Sequence, residues 1–202
     1  MIMIGEPANA GDPAAAYRLC EGVSEVVSLE SLLEGEDLGG VWSETSSTPS
    51  GGFSGADGTL TTDNEVAGTY TFEYTLSDND PCPEVSATVT VIIDANPVAD
   101  AGQEKFIDCL NSTAMLGGPN TTTGSTIEYS WMNITTGEDL GTTQTIEVSN
   151  AGTYELTVLN TETGCSSRST VDVLKSDDLP TMVVTVKDIS CFNAGDGGIT
   201  LS

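Results

Sequence analysis

The 202-residue sequence contains no histidine and only five lysines and arginines, set against 31 aspartates and glutamates for a formal charge of −26. Each shortage removes a class of function. Without imidazole there is no Ser-His-Asp or Cys-His nucleophile system and no histidine metal ligand. Arg18, Lys105, Arg168, Lys175 and Lys187 are scattered singly. A chain so poor in cations does not neutralise a phosphate backbone, which excludes nucleic acid as a partner. Nor does it hold the polybasic segment that an anionic membrane recruits. No apolar run approaches the ~20 residues of a spanning helix, so direct membrane insertion is not expected. The opening Met1-Ile2-Met3-Ile4 is short and lacks the basic flank of a signal peptide. Aromatic residues make up 5% of the chain, too few for an exposed ligand-stacking surface. Carboxylates are the only abundant reactive groups, and no pair of them is marked out for glycoside chemistry. The chain therefore reads as a non-enzyme with no resident cofactor.

Cysteine is present but unpatterned for metal. Cys20, Cys82, Cys109, Cys165 and Cys191 include no C-x-x-C, which excludes a zinc knuckle or thioredoxin motif. Widely spaced cysteines in a Thr- and Ser-rich chain point to disulfides and an oxidising, extracytoplasmic setting.

What the chain does have is an internal repeat. Ala67-Gly68-Thr69-Tyr70 recurs as Ala151-Gly152-Thr153-Tyr154. Each copy opens a strand of strict alternation, with Tyr70, Phe72, Tyr74 and Leu76 on one face of the first, and Tyr154, Leu156 and Val158 on one face of the second. Period two predicts half-buried antiparallel strands. Trp42 lies 22 residues after Cys20, and Trp131 lies 22 after Cys109. Cys82 follows Tyr70 by 12 residues and Cys165 follows Tyr154 by 11. A Thr/Val strand follows each second cysteine, Ser86 to Ile93 and Ser169 to Leu174. Turn signals at Gly51-Gly52, Asp57-Gly58, Gly117-Gly118-Pro119-Asn120 and Gly137 give about seven strands per unit. Only Ser28 to Gly35 allows a helical turn. The matched spacing pairs Cys20 with Cys82 and Cys109 with Cys165, free buried thiols being the alternative. Each such loop would stabilise by about 4 kcal/mol in the chain-entropy model.

Ile189-Ser190-Cys191-Phe192-Asn193 echoes Ile107-Asp108-Cys109-Leu110-Asn111, so a third unit is expected to open there, with Cys191 unpaired in this window. Met1-Ile2-Met3-Ile4-Gly5-Glu6-Pro7 aligns with Val91-Ile92-Ile93-Asp94-Ala95-Asn96-Pro97, the end of a unit and its linker. The expected division is 1–95, with 1–5 resembling the last strand of a preceding repeat, then 96–180, then 181–202 as a truncated start. On this reading the chain is a window on a longer array.

A Trp near the third strand and a Tyr two residues after a Gly resemble the central Trp and tyrosine corner of immunoglobulin-like sandwiches. The expected fold is therefore all-β, with tandem immunoglobulin-like antiparallel β-sandwich domains. Asn96-Pro97-Val98-Ala99-Asp100-Ala101-Gly102, Leu116-Gly117-Gly118, Tyr129-Ser130-Trp131 and Gly152-Thr153-Tyr154-Glu155-Leu156-Thr157-Val158 resemble a polycystic-kidney-disease (PKD) type domain of giant secreted Bacteroidota proteins. The sequence departs from that family's best-known signature at Trp131-Met132-Asn133. Residues 1–95 are similar to Ig-like repeats of the same proteins. Val184 to Leu201 resembles the opening of a short repeat of gliding-motility adhesins.

The resemblance implies type IX secretion to the cell surface of a Gram-negative bacterium. It also implies a structural or adhesive segment of a long extracellular fibre serving attachment, gliding or contact with other cells. Its expected partners are neighbouring repeats of the same chain, with a homo-oligomeric filament as a further option. Two other readings are a carbohydrate- or protein-binding module and an accessory domain of a secreted hydrolase.

Acidic clusters near the joints raise calcium, a hard cation that takes six to eight oxygens. The candidate ligands are Asp78, Asp80, Asp94, Asp100, Asp177 and Asp178. Short Asp/Asn clusters also serve as turn residues and solvated loops.

Overall fold

The alternating segments form strands, in which one set of side chains faces a partner sheet and the other faces water. A computed structural model describes residues 7–77, 83–176 and 182–201. The first part of the chain forms β1 (Asp12–Pro13), β2 (Tyr17–Cys20), β3 (Val26–Ser28), β4 (Leu33–Glu34), β5 (Val41–Glu44), β6 (Phe53–Ser54), β7 (Thr59–Thr61), β8 (Gly68–Leu76) and β9 (Val85–Asp94). The second forms β10 (Lys105–Ile107), β11 (Ala114–Leu116), β12 (Ile127–Asn133), β13 (Glu138–Gly141), β14 (Ile146–Val148), β15 (Gly152–Asn160) and β16 (Ser166–Lys175). β17 (Val184–Lys187) and β18 (Gly198–Leu201) make a separate antiparallel hairpin. Among the described residues the only helix is a 3-10 turn at Glu30–Leu32, inside the stretch whose sequence allows one.

In the first part, a sheet of order β2-β9-β8-β5 and a sheet of order β3-β7-β6 contribute to one core. In the second, β10-β16-β15-β12-β13 and β11-β14 do the same. One pairing in each part is parallel, β2 on β9 and β10 on β16. The other pairings are antiparallel, as in β8 with β9 and β15 with β16. This is an all-β fold of immunoglobulin-like sandwiches.

The two cores draw on separate stretches of sequence, Ala10 to Ile93 and Ala101 to Val173. Tyr70, Phe72, Tyr74 and Leu76 are all buried, as are Tyr154, Leu156 and Val158, so the period-two expectation holds at every position. Each such side chain contributes roughly 1.5–3 kcal/mol relative to exposure. Trp42 on β5 packs against Tyr74 with ring centroids 5.0 Å apart and the planes tilted by 42°, and Trp131 on β12 is fully buried with its indole N–H donating to Thr143 O at 3.1 Å. The Tyr70 hydroxyl donates to Val66 O (2.9 Å) and the Tyr154 hydroxyl to Asn150 O (2.7 Å), closing a tyrosine corner in each sandwich.

Candidate functional site

The most elaborate construction in the chain lies where one core ends and the next begins. β2 runs parallel to β9 and finishes with Cys20 directly opposite Asp94. The Glu21 amide donates to Asp94 O at 2.8 Å, and the Asn96 side chain donates to Glu21 O at 2.8 Å. Arg18 grips the Asp94 carboxylate with two nitrogens, at 3.1 and 2.5 Å. Asp94 is mostly buried and Arg18 half-exposed, so this planar fork orders the strand end more than it stabilises the fold. Pro97 is buried. Beyond it, the linker is claimed by the second sandwich: the Val98 amide donates to Thr122 Oγ1 (2.8 Å) and the Thr122 amide to Val98 O (2.9 Å).

Against this strand end sits the hairpin between β15 and β16. Its turn, Thr161 to Gly164, is drawn tight by local bonds. Gly164 N donates to Asn160 O (2.8 Å), Asn160 N to Cys165 O (2.9 Å), and Glu162 N to Asn160 Oδ1 (3.1 Å). Gly164 adopts φ +77°, a left-handed conformation that glycine reaches without a Cβ clash. Thr161 N also donates to Thr126 O at 2.8 Å, tying the hairpin tip to the start of β12. These constraints present Cys165, almost fully buried, to Cys20, and the two form a disulfide with Cα atoms 5.5 Å apart.

That bond corrects the pairing expected from spacing. Cys20 joins Cys165, not Cys82, and Cys109 is a free, exposed thiol, as is Cys191. The reason lies in strand length. Cys20 stands beside the last residue of β9, whereas the chain from Cys82 enters β9 at its first residue, Val85. Ten strand residues span about 30 Å, which a three-residue segment cannot retrace, and a disulfide needs Cα atoms within about 7 Å. The same geometry separates Cys109 from Cys165 across β16. Equal spacing in both units is compatible with bonds inside units and with bonds between them. What decides is that Cys20 stands beside the last residue of β9, a full strand length from Val85. Cys82 itself lies outside the described residues.

The acidic residues offered for calcium divide in the same way. Asp78, Asp80, Asp177 and Asp178 lie outside the described residues. Asp94 is engaged by Arg18. Asp100 accepts from the amides of Gly102 (3.0 Å) and Asn120 (3.1 Å), which makes it the organiser of the linker turn. Gly118 lies so close to this carboxylate that a Cβ there would fall 2.0 Å from its carbon, so the turn requires glycine. Among the described residues, no group of three or more His, Cys, Asp or Glu side chains is placed to hold a metal ion.

Sequence reasoning missed the inter-core role of this site. The signals were present in Pro97, Asn96 and the repeat of cysteine positions, but they carry no information about which end of a sandwich faces its neighbour.

No family model matches the sequence, and no curated protein matches it. Among solved structures, the chain is similar to the N-terminal four Ig domains of Dscam1 isoform 4.44, at 14% identity, TM-score 0.40, covering 86% of this chain and 47% of that one. It is also similar to the same region of isoform 6.9, at 16% identity, TM-score 0.37, with coverage of 86% and 48%. The chain thus spans about half the length of those structures. The immunoglobulin-like assignment rests on the buried tryptophans, the two tyrosine corners and the parallel pairing of β2 on β9 and of β10 on β16.

Proposed function

We propose that this chain is a tension-bearing structural segment of an extracellular adhesive appendage, built from immunoglobulin-like units over 1–95 and 96–180 with a further unit opening at 181. The observation that carries the reading is the Cys20–Cys165 bond, which links one core to the next across 145 residues. Pulling on the two ends of the chain sends force through the sulfur bridge and around both cores. The strands between residues 20 and 165 then lie inside a covalent ring and are not extended. In the chain-entropy model a ring of this size also opposes unfolding by about 5 kcal/mol.

Other features support the same reading. The joint is short and fixed from both sides, by Asn96 to the first sandwich and by Val98 to the second. A net charge of −26 keeps exposed strand edges apart and long repeats soluble. The resemblance of both units to repeats of giant secreted surface proteins adds the cell surface of a Gram-negative bacterium, type IX export, and service in attachment or gliding.

Single-molecule force spectroscopy on the chain held at its two ends tests this. Under oxidising conditions, the length between residues 20 and 165 stays hidden. With reductant, or in Cys20→Ser, roughly 500 Å of extra contour length is released, at about 3.5 Å per residue. Equal extension with and without reductant would overturn the reading.

A further inference from the structure

Cys109 occupies in the second sandwich the place that bonded Cys20 occupies in the first. Cys20 follows buried Leu19, which pairs with Ile93 near the end of β9; Cys109 follows buried Ile107 by two residues, and Ile107 pairs with Lys175 at the end of β16. Both cysteines therefore emerge at the far end of the last strand of their own unit. At the first of these ends, the β15–β16 hairpin of the following unit is seated and supplies Cys165. At the second, Cys109 is exposed and free. Its own unit offers no partner, since Cys165 is already bonded and lies a full strand length away. Beside Cys109 is an uncovered apolar patch, with Leu110 92% exposed and the cross-strand neighbours Phe106 and Leu174 at 60% and 41%.

From this internal comparison we infer that the Cys109 end of the second sandwich is a covalent docking surface for another sandwich of the same type. That unit presents a hairpin cysteine as the second unit presents Cys165 to the first. Leu110, Phe106 and Leu174 supply the apolar contact. The bond forms when the two thiols give up two protons and two electrons to a disulfide-carrying oxidant, which leaves as its dithiol.

The consequence is mechanical. Cys109 lies inside the ring closed by Cys20 and Cys165, so a bond from it to a unit past residue 165 makes a second ring that interlocks with the first. Successive rings of this kind leave no joint at which a single backbone carries the whole force. The inference rests on the tandem-array reading and extends it from one staple to a series.

Disulfide mapping tests it on the protein as its own cells make it, purified without reductant and with free thiols alkylated. Cleavage at the abundant Asp and Glu residues followed by mass spectrometry locates each bond. The expected result is that Cys109 escapes alkylation. It should be linked to a cysteine that follows a Gly-Thr-Tyr-type strand by about a dozen residues, as Cys165 does, and reduction should abolish the linked peptide. Cys109 found alkylated, bonded to Cys191, or carrying a small thiol would overturn the inference. The Cys20–Cys165 peptide in the same digest separates the two levels of failure. If it is present while Cys109 is free, only the series falls; if it is absent, the tension-bearing reading falls as well.

Discussion

Tyr154 shows how a single residue joins packing to polarity in these sandwiches. Its ring is buried in the second core while its hydroxyl reaches Asn150 O at 2.7 Å. Burial, with the Glu138 charge adding to it, raises its pKa above the ordinary 10.0. Tyr70 is raised as well, by burial first and then by Glu65. A phenol with a raised folded pKa ionises first in the unfolded chain. Its contribution is whole below about pH 10 and is lost as pH climbs through the folded value. Stability should therefore fall on the alkaline side of pH 10, as followed by urea unfolding at stepped pH. Tyr154→Phe should cost about 1 kcal/mol at neutral pH, the worth of one hydrogen bond, because exposed Asn150 can take water instead. In that variant the alkaline loss should shrink.

At the scale of the strand, the alternation along β15 decides which substitutions matter. Leu156 is fully buried and pairs in register with Trp131, whereas Thr157 points to the other face. Leu156→Ala should destabilise by about 2–5 kcal/mol, the transfer loss plus the cavity it leaves. Thr157→Ala should change stability by no more than about 0.5 kcal/mol. Urea midpoints with unchanged slopes would bear this out, and comparable effects at the two positions would contradict the assigned faces. The hairpin of β17 and β18 stands apart from this pattern: Val184, Val186 and Ile199 are all exposed, and two strands alone make a marginal structure in water.

Across the whole molecule, charge and covalent linkage act in opposite directions. A charge of −26 repels the chain from itself, while the Cys20–Cys165 ring holds the two cores together. Salt screens the first without touching the second, since the Debye length falls from about 30 Å at 0.01 M to about 3 Å at 1 M. The thermal midpoint of the oxidised protein should therefore rise as sodium chloride is raised over that range, as read by calorimetry. A flat or falling midpoint would show that self-repulsion is not a significant term.

The sandwich itself was legible in the residues. Alternation at Tyr70 to Leu76 and Tyr154 to Val158, the two tryptophans and the Gly-Thr-Tyr corners depend on local periodicity, and a side chain's face in a strand is set by its parity alone. The candidate site was legible only in its parts. Cys20, Asp94, Asn96, Pro97 and Cys165 all stood out, yet their spacing suggested bonds within units. Bond partners depend on which end of a strand a residue occupies and on what faces that end, and both are properties of the assembled sheets. Ten residues of β9 place Cys20 and Val85 about 30 Å apart, so the tertiary structure alone could direct Cys20 outward to the next unit.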